Sequence, residues 1–101
     1  MAESTVDIDA LLPILKNSIG DFGTSTPDDY YKDKIETAVA EFLSEDISIT
    51  QLSSELGKKA IVFYAKTLMD GGDIATNPTI NLHKSKLSLA TKGERYRDVH
   101  K

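Results

Sequence analysis

Apolar residues are unevenly distributed along this chain, and this unevenness constrains its fold more than any other feature. Three helix-length blocks of apolar residues lie between residues 8 and 69, and a long polar tail follows to Lys101. Apolar side chains that recur every three to four residues are typical of amphipathic helices. The sequence therefore predicts an all-α fold, in which a small helical core carries a C-terminal arm.

The predicted core is a small bundle of three main helices. Their approximate ranges are 9–19, 27–44 and 49–69. Asp9 is the expected N-cap of the first helix, which places Pro13 at the fourth helical position, where no intrahelical hydrogen bond is lost. Gly20 is expected to end this helix.

Capping residues also mark the second and third helices. Thr26 is the predicted N-cap of the second helix and Pro27 its first residue, with acidic residues in the first turn. Ser48 and Gln51 have the spacing of a capping box at the start of the third helix. Gly71 suits the left-handed residue that ends it.

The tail shows a different pattern. Its apolar residues alternate with polar ones, and they are Ile80, Leu82, Leu87 and Leu89. Alternation favours two strands of a hairpin with a turn at 83–86, whereas a short helix opening at Asn77 and Pro78 is the competing interpretation. Residues 91–101 are charged and expected to be flexible. The chain is thus expected to be one domain, with a core at about 7–70 and an arm at 71–101.

Charge is divided between the two halves of the chain. Residues 1–46 contain eleven acidic residues and three lysines, whereas residues 47–101 contain nine basic and five acidic residues. Such a division allows the acidic surface of one subunit to meet the basic surface of its neighbour, as in a head-to-tail ring. Two solvated faces of a monomer would have the same charge pattern.

No motif of catalytic, metal-binding or phosphate-binding chemistry is found. Asp21-Phe22-Gly23 matches the kinase metal tripeptide without the other kinase motifs, and Asp70-Gly71-Gly72-Asp73 lacks the rest of a calcium loop. His83 and His100 have no acidic neighbour at ligand spacing, and the chain has no cysteine. We therefore expect neither enzymatic activity nor a cofactor.

The chain also lacks the sequence signals of membrane proteins. No run of about 18 apolar residues occurs, and Met1 to Thr5 lack the basic start of a signal peptide. A soluble protein made in the cytoplasm is expected. Basic residues of the tail could contact nucleic-acid phosphates or an acidic partner, and the candidates are Lys92, Arg95 and Arg97.

Three stretches carry a likeness to a known family. They are Asp9-Ala-Leu-Leu-Pro-Ile-Leu-Lys16 leading to Gly20, Asp29-Tyr30-Tyr31 continuing through Ile35 and Ala38, and Ile61-Val-Phe-Tyr-Ala-Lys66. A loop bearing Gly and Pro and an alternating tail follow. In this order, over residues 7 to 89, the chain resembles the small head-to-tail connector proteins (head-completion or adaptor proteins) of long-tailed phages.

The resemblance implies a non-catalytic virion protein that is made in the host cytoplasm. It implies a helical subunit that self-associates into a ring, about twelvefold, beneath the portal protein and contacts other connector or tail-completion proteins. DNA would pass through the channel without sequence-specific binding, and no membrane is involved. The expected subunit or portal contacts are Ile80, Leu82, Lys84, Lys86, Leu87 and Leu89.

Two other classes of protein remain open. A small helical regulator that binds DNA or a host protein would suit the length, but it requires a basic recognition helix, and the second helix is acidic. An enzyme is possible only where a partner completes its site.

Overall fold

The structure, a computed structural model, describes residues 6–20 and 26–99, which form five α-helices. Their bounds are Ile8–Ile19 (α1), Asp28–Ser44 (α2), Ile49–Leu52 (α3), Glu55–Asp70 (α4) and Pro78–Val99 (α5). No strand occurs within the described ranges. The all-α class is therefore confirmed, whereas three main helices with an extended or hairpin-like arm are not.

The first helix begins earlier than predicted. Asp7, and not Asp9, is the N-cap of α1, and its carboxylate accepts a 3.1 Å hydrogen bond from the N–H of Ala10. Pro13 consequently lies in the second turn and can donate no backbone hydrogen bond to the carbonyl of Asp9. Gly20 ends the helix at a φ of 74°, as predicted.

The second helix begins one residue later than predicted. Pro27 occupies the N-cap position of α2, and no side chain caps this end, so Thr26 does not have its predicted role. Asp28 and Asp29 lie in the first turn, where their charges face the positive end of the helix dipole. The apolar stripe of α2 is buried, and it comprises Tyr31, Ile35, Ala38, Val39 and Phe42.

The predicted third helix is broken into two. Ser48 caps α3 by accepting a hydrogen bond from the N–H of Gln51, which confirms it as an N-cap. The reciprocal bond of a capping box is not formed, because the N–H of Ser48 donates to Thr91 and the Gln51 amide donates to Glu94. The backbone leaves helical geometry at Ser54, which is extended, and the Ser54 hydroxyl accepts from the N–H of Gly57 to start α4. The prediction of one continuous helix over 49–69 is therefore wrong.

Gly57 allows α3 and α4 to approach each other closely. A Cβ at this position would lie 2.5 Å from Cα of Leu52 and closer still to the carbonyl oxygen of Gln51. Real Cβ atoms do not tolerate such contacts with backbone, so only glycine fits. Gly57 thus permits the break between the two helices.

The tail forms α5 instead of a hairpin. The Asn77 side-chain oxygen accepts from the N–H groups of Thr79 and Ile80 at 3.0 and 3.1 Å, and Pro78 is the first helical residue. The competing interpretation, a helix opening at Asn77 and Pro78, is confirmed, although the helix is long. The predicted turn at 83–86 and the flexible stretch from residue 91 are helical as far as Val99.

The core is built around α4, which contacts each of the other four helices. Phe42 of α2 is fully buried, and its ring meets that of Tyr64 of α4 edge-on, with 5.5 Å between the ring centroids. Leu11 and Leu15 of α1 close one side of this core, and α5 closes another. The arrangement leaves α2 and α5 on the outside of the molecule, each with one uncovered face.

Candidate functional site

The inner face of α5 belongs to the core of the same chain. Ile80 is 0% and Leu87 is 1% exposed, and the hydroxyl-bearing Thr91 continues this buried stripe one turn further on. The prediction that all the tail leucines and isoleucines pack on a neighbouring protein is therefore wrong for Ile80 and Leu87. These two side chains stabilise the subunit, by about 1.5 to 3 kcal/mol each in burial terms.

Polar contacts join the C-terminal half of α5 to the start of α3. The N–H of Ser48 donates to the Thr91 hydroxyl at 3.1 Å, and that hydroxyl donates to the carbonyl of Leu87 at 2.9 Å. The Ser48 hydroxyl donates to the carboxylate of Glu94, also at 3.1 Å. Both partners of Ser48 lie on one side of α5, so this end of the helix is held in one orientation.

Two ion pairs hold α5 against the end of α2. The Lys84 ammonium lies 3.0 Å from the Glu41 carboxylate and 3.7 Å from that of Glu45. Burial, the largest single influence, lowers the pKa of Lys84, but the hydrogen bond to Glu41 and the two carboxylate charges together raise it. Lys84 was predicted to contact a partner, and it is instead occupied within the subunit.

Arg95 forms a third ion pair between α5 and the residues at the end of α2. Its guanidinium donates two hydrogen bonds to the Asp46 carboxylate, at 2.9 and 3.1 Å, which is the forked geometry of a strong pair. The hydrogen bond from Arg95 lowers the pKa of Asp46. Arg95 is therefore engaged in the free subunit, unlike Lys92 and Arg97, which form no ion pair with another described residue.

The outer face of α5 is exposed and combines apolar with basic residues. Its members recur at spacings of four and three, and they are Leu82, Lys86, Leu89, Gly93 and Tyr96. Leu82 is 52% and Leu89 is 72% exposed. Arg97 adjoins the C-terminal end of this face and is also exposed. Uncovered leucines spaced along one face of a helix are typical of an interaction surface.

His83 lies at the edge between the inner and outer faces of α5. Its ring meets that of Phe63 of α4 edge-on, with centroids 5.9 Å apart. The Nδ1 atom is buried without a hydrogen-bond partner among the described residues, and burial together with the charge of Lys86 lowers the pKa of His83. The ring is thus a packing group that favours its neutral form.

Two apolar grooves could not be predicted from the sequence because each is lined from more than one helix. One, of about 440 Å³, lies between α1 and α4, with Ile14 and Phe63 in its walls and lysines at its rim. The other, of about 280 Å³, lies beside the C-terminal half of α2 and is lined by Val6, Ile8 and Leu43 among others. The sequence signal for each groove was the repeat of apolar residues in the helices that line it.

Where the structure describes them, the sequence motifs that resemble catalytic or metal-binding sites have structural roles. Gly71 ends α4 at a φ of 72°, and Asp73 accepts hydrogen bonds from the N–H and hydroxyl of Thr76. Asp21-Phe22-Gly23 and His100 lie outside the described residues. Within the described ranges, no three His, Cys, Asp or Glu side chains form a group that could hold a metal ion.

The described helices include none that is long and apolar enough to cross a bilayer. In comparisons with known proteins, the chain matches no family model, and no curated protein or solved structure is significantly similar to it.

Proposed function

We propose that this chain is a structural virion protein, a head-to-tail connector (adaptor) subunit that forms a ring beneath the portal and links a DNA-filled phage head to its tail. It catalyses no reaction and holds no cofactor. The portal protein and other connector or tail-completion proteins are its partners. The order of its helical segments and their likeness to this family motivate the proposal.

One structural observation carries the proposal further. The α5 helix is firmly attached on its inner face, yet Leu82 and Leu89 on its outer face are more than half exposed. A rigid helix presenting apolar and basic residues is suited to binding a second protein surface, because little conformational entropy is lost on docking. Lys86 and Arg97 provide charges that can orient such a contact.

Capsid binding tests this function directly. The purified chain would be incubated with portal-bearing, DNA-filled capsids that lack it, and the mixture would then be sedimented and imaged. We expect co-sedimentation and a ring of added density at the portal vertex. Sedimentation of the capsids alone would remove the connector proposal.

A regulator that binds DNA is the second candidate, and the helical state of the tail is the observation in its favour. Lys86, Lys92 and Arg97 are exposed on one helix and could contact phosphates. Against this, exposed leucines accompany them, and Lys84 and Arg95 are held by acidic residues of the same chain. Binding of duplex DNA by the isolated protein, weakening steeply with salt, would favour the regulator.

A further inference from the structure

The outer face of α2 has the same residue spacing as the outer face of α5 and the opposite charge. It consists of Asp29, Asp33, Glu36, Ala40 and Leu43, all exposed and separated by four and three residues in turn. Such spacing places the five side chains along one seam of a helix, as in a pair of packed helices. Both outer faces are exposed in the subunit, so they do not pack against each other within one copy.

Both faces are also divided along their length. The N-terminal half of the α2 outer face is acidic, with Asp29, Asp33 and Glu36, and its C-terminal half is apolar, with Leu43 41% exposed. The Asp33 carboxylate also lies 3.8 Å from the ammonium of Lys34 on the same helix. On α5 the leucines come first: Leu82 and Leu89 occupy the N-terminal half, with Lys86 between them, and Arg97 lies at the C-terminal end.

We infer that α5 of one copy packs antiparallel on α2 of the next copy, through these two outer faces. Antiparallel packing in this register sets Leu82 against Leu43 and brings Arg97 to Asp29, whereas parallel packing would set Leu82 against Asp29 and Arg97 beside Leu43. It also brings Leu82 to the groove beside Leu43, where about 280 Å³ is lined by Val6 and Ile8 among others. A leucine side chain can enter such a groove.

The pairing is head-to-tail because the two faces differ, and repeated head-to-tail contacts close into a ring or continue as a filament. It rests on the proposed function and specifies which surfaces form the ring. The 17 residues of α2 and 22 of α5 correspond to about 25 and 33 Å of helix. One pair of helices of this length is a small interface, so we expect weak association in solution and stronger association on the portal.

Disulfide trapping tests the pairing and its direction, since the chain has no cysteine of its own. Leu82→Cys and Leu43→Cys variants would be mixed, so that the mixed disulfide can form only between copies. The matched control mixes Leu82→Cys with Asp29→Cys. The antiparallel pairing predicts at least tenfold more mixed dimer in the first mixture than in the second. Trapping of the control mixture, or only of Leu82→Cys with itself, would overturn it.

Charge reversal provides an independent test. Copies carrying Lys86→Glu and Arg97→Glu have two acidic faces, and copies carrying Asp29→Lys and Asp33→Lys have two basic ones. Each variant alone should associate at least tenfold more weakly than the unaltered chain, and an equal mixture should recover, because alternating copies match at every contact. A mixture that associates no better than either variant would contradict the pairing. Circular dichroism of each variant would establish that its helices are intact.

The two experiments would be run both in free solution at high protein concentration and on portal-bearing capsids. Chains that co-sediment with capsids but are not trapped through Leu82 and Leu43 would overturn the pairing and leave the connector function standing. Trapping in solution without capsid binding would support the pairing and overturn the connector function.

Discussion

Gly57 is the residue whose replacement is expected to be most damaging for its size. In the Gly57→Ala variant the new methyl group would meet the backbone of Gln51 and Leu52, which cannot move without separating α3 from α4. Overpacking of this kind costs about 1 to 3 kcal/mol, and contact with backbone favours the upper end. We expect a loss of about 3 kcal/mol in the free energy of unfolding, measured by denaturant titration.

The matched control is Gly93→Ala on α5. A Cβ at Gly93 meets nothing within 4 Å, so alanine should raise the free energy of unfolding by about 0.5 to 1 kcal/mol through its higher helix propensity. Similar effects of the two substitutions would contradict the close approach of α3 and α4.

His83 is expected to make stability depend on pH. Its pKa in the folded chain lies below the ordinary value of about 6.5, because burial disfavours the charged ring. The free energy of unfolding is therefore highest above the ordinary pKa of about 6.5, and it decreases as the pH falls from there through the lowered pKa. The reason is that the unfolded chain binds the proton more readily than the folded chain. In the His83→Phe variant, the decrease in unfolding free energy between about pH 7.5 and 5.5 should be smaller than in the unaltered chain.

The control is Ser85→Ala, at an exposed residue of α5 that does not titrate. This variant should keep the pH dependence of unfolding of the unaltered chain. Equal slopes for the unaltered and His83→Phe proteins would show that His83 is not desolvated.

Helix caps are the residues that sequence reasoning predicted best, because a cap depends on neighbours within four positions. Ser48, Gly20 and Gly71 all have their predicted roles. The choice between Asp7 and Asp9 was wrong because both residues are good caps and precede the same apolar repeat. Only the fold determines which of two equivalent local signals is used.

At the scale of elements, the misinterpretation of α5 arose from its period. Ile80 and Leu82 differ by two positions, as do Leu87 and Leu89, and this spacing indicates strands. The two pairs are also seven positions apart, which places Ile80 with Leu87 on one helix face and Leu82 with Leu89 on another. The helical cap at Asn77 and Pro78 was the signal that distinguished these interpretations.

The break between α3 and α4 could not be predicted from local pattern. Ser54 is an ordinary N-cap residue, but apolar residues continue on both sides of it at helical spacing. The break exists because α3 turns to contact α5 as well as α4. The contact between Ser48 and Thr91 joins residues 43 positions apart, and a local pattern carries no record of it.

Removal of α5 should unfold the subunit, in contrast to what an attached arm would allow. Truncation after Asn77 deletes the buried Ile80, Leu87 and Thr91 and uncovers the side of α4 against which they pack. The two apolar side chains alone represent about 3 to 6 kcal/mol, which is comparable to the whole stability of a small domain. We expect loss of cooperative thermal unfolding and of helical circular dichroism beyond the share of α5.

The control keeps α5 and replaces two of its exposed residues, Lys86→Ala with Leu89→Ala, and should unfold as the unaltered chain does. If the chain that ends at Asn77 still unfolds cooperatively, α5 is a dispensable arm and its assignment to the core is incorrect.

At the scale of the whole molecule, the sequence indicated which residues form the candidate interaction surface but not which of them face outward. The sequence predicted contacts by Leu82, Lys86 and Leu89 and also by Ile80 and Leu87. A strand would place Ile80 and Leu82 on the same face, whereas a helix places them on different faces. The division of charge along the chain was also evident. Only the structure shows on which helix faces these charges lie. It also shows that Lys84 and Arg95 form ion pairs within the subunit, whereas other charged residues remain exposed.

The most direct measurement is capsid co-sedimentation of a variant altered only on the outer face of α5. Leu82→Ser with Leu89→Ser should retain its helical circular dichroism and cooperative unfolding, because both side chains are exposed. The control combines Ile14→Ser with Tyr30→Ser, which are exposed on α1 and α2. We predict that the α5 variant loses at least nine-tenths of the capsid-bound protein, about a tenfold effect, whereas the control binds as the unaltered chain does. Undiminished binding of the folded α5 variant would contradict the assignment of this face as the assembly surface.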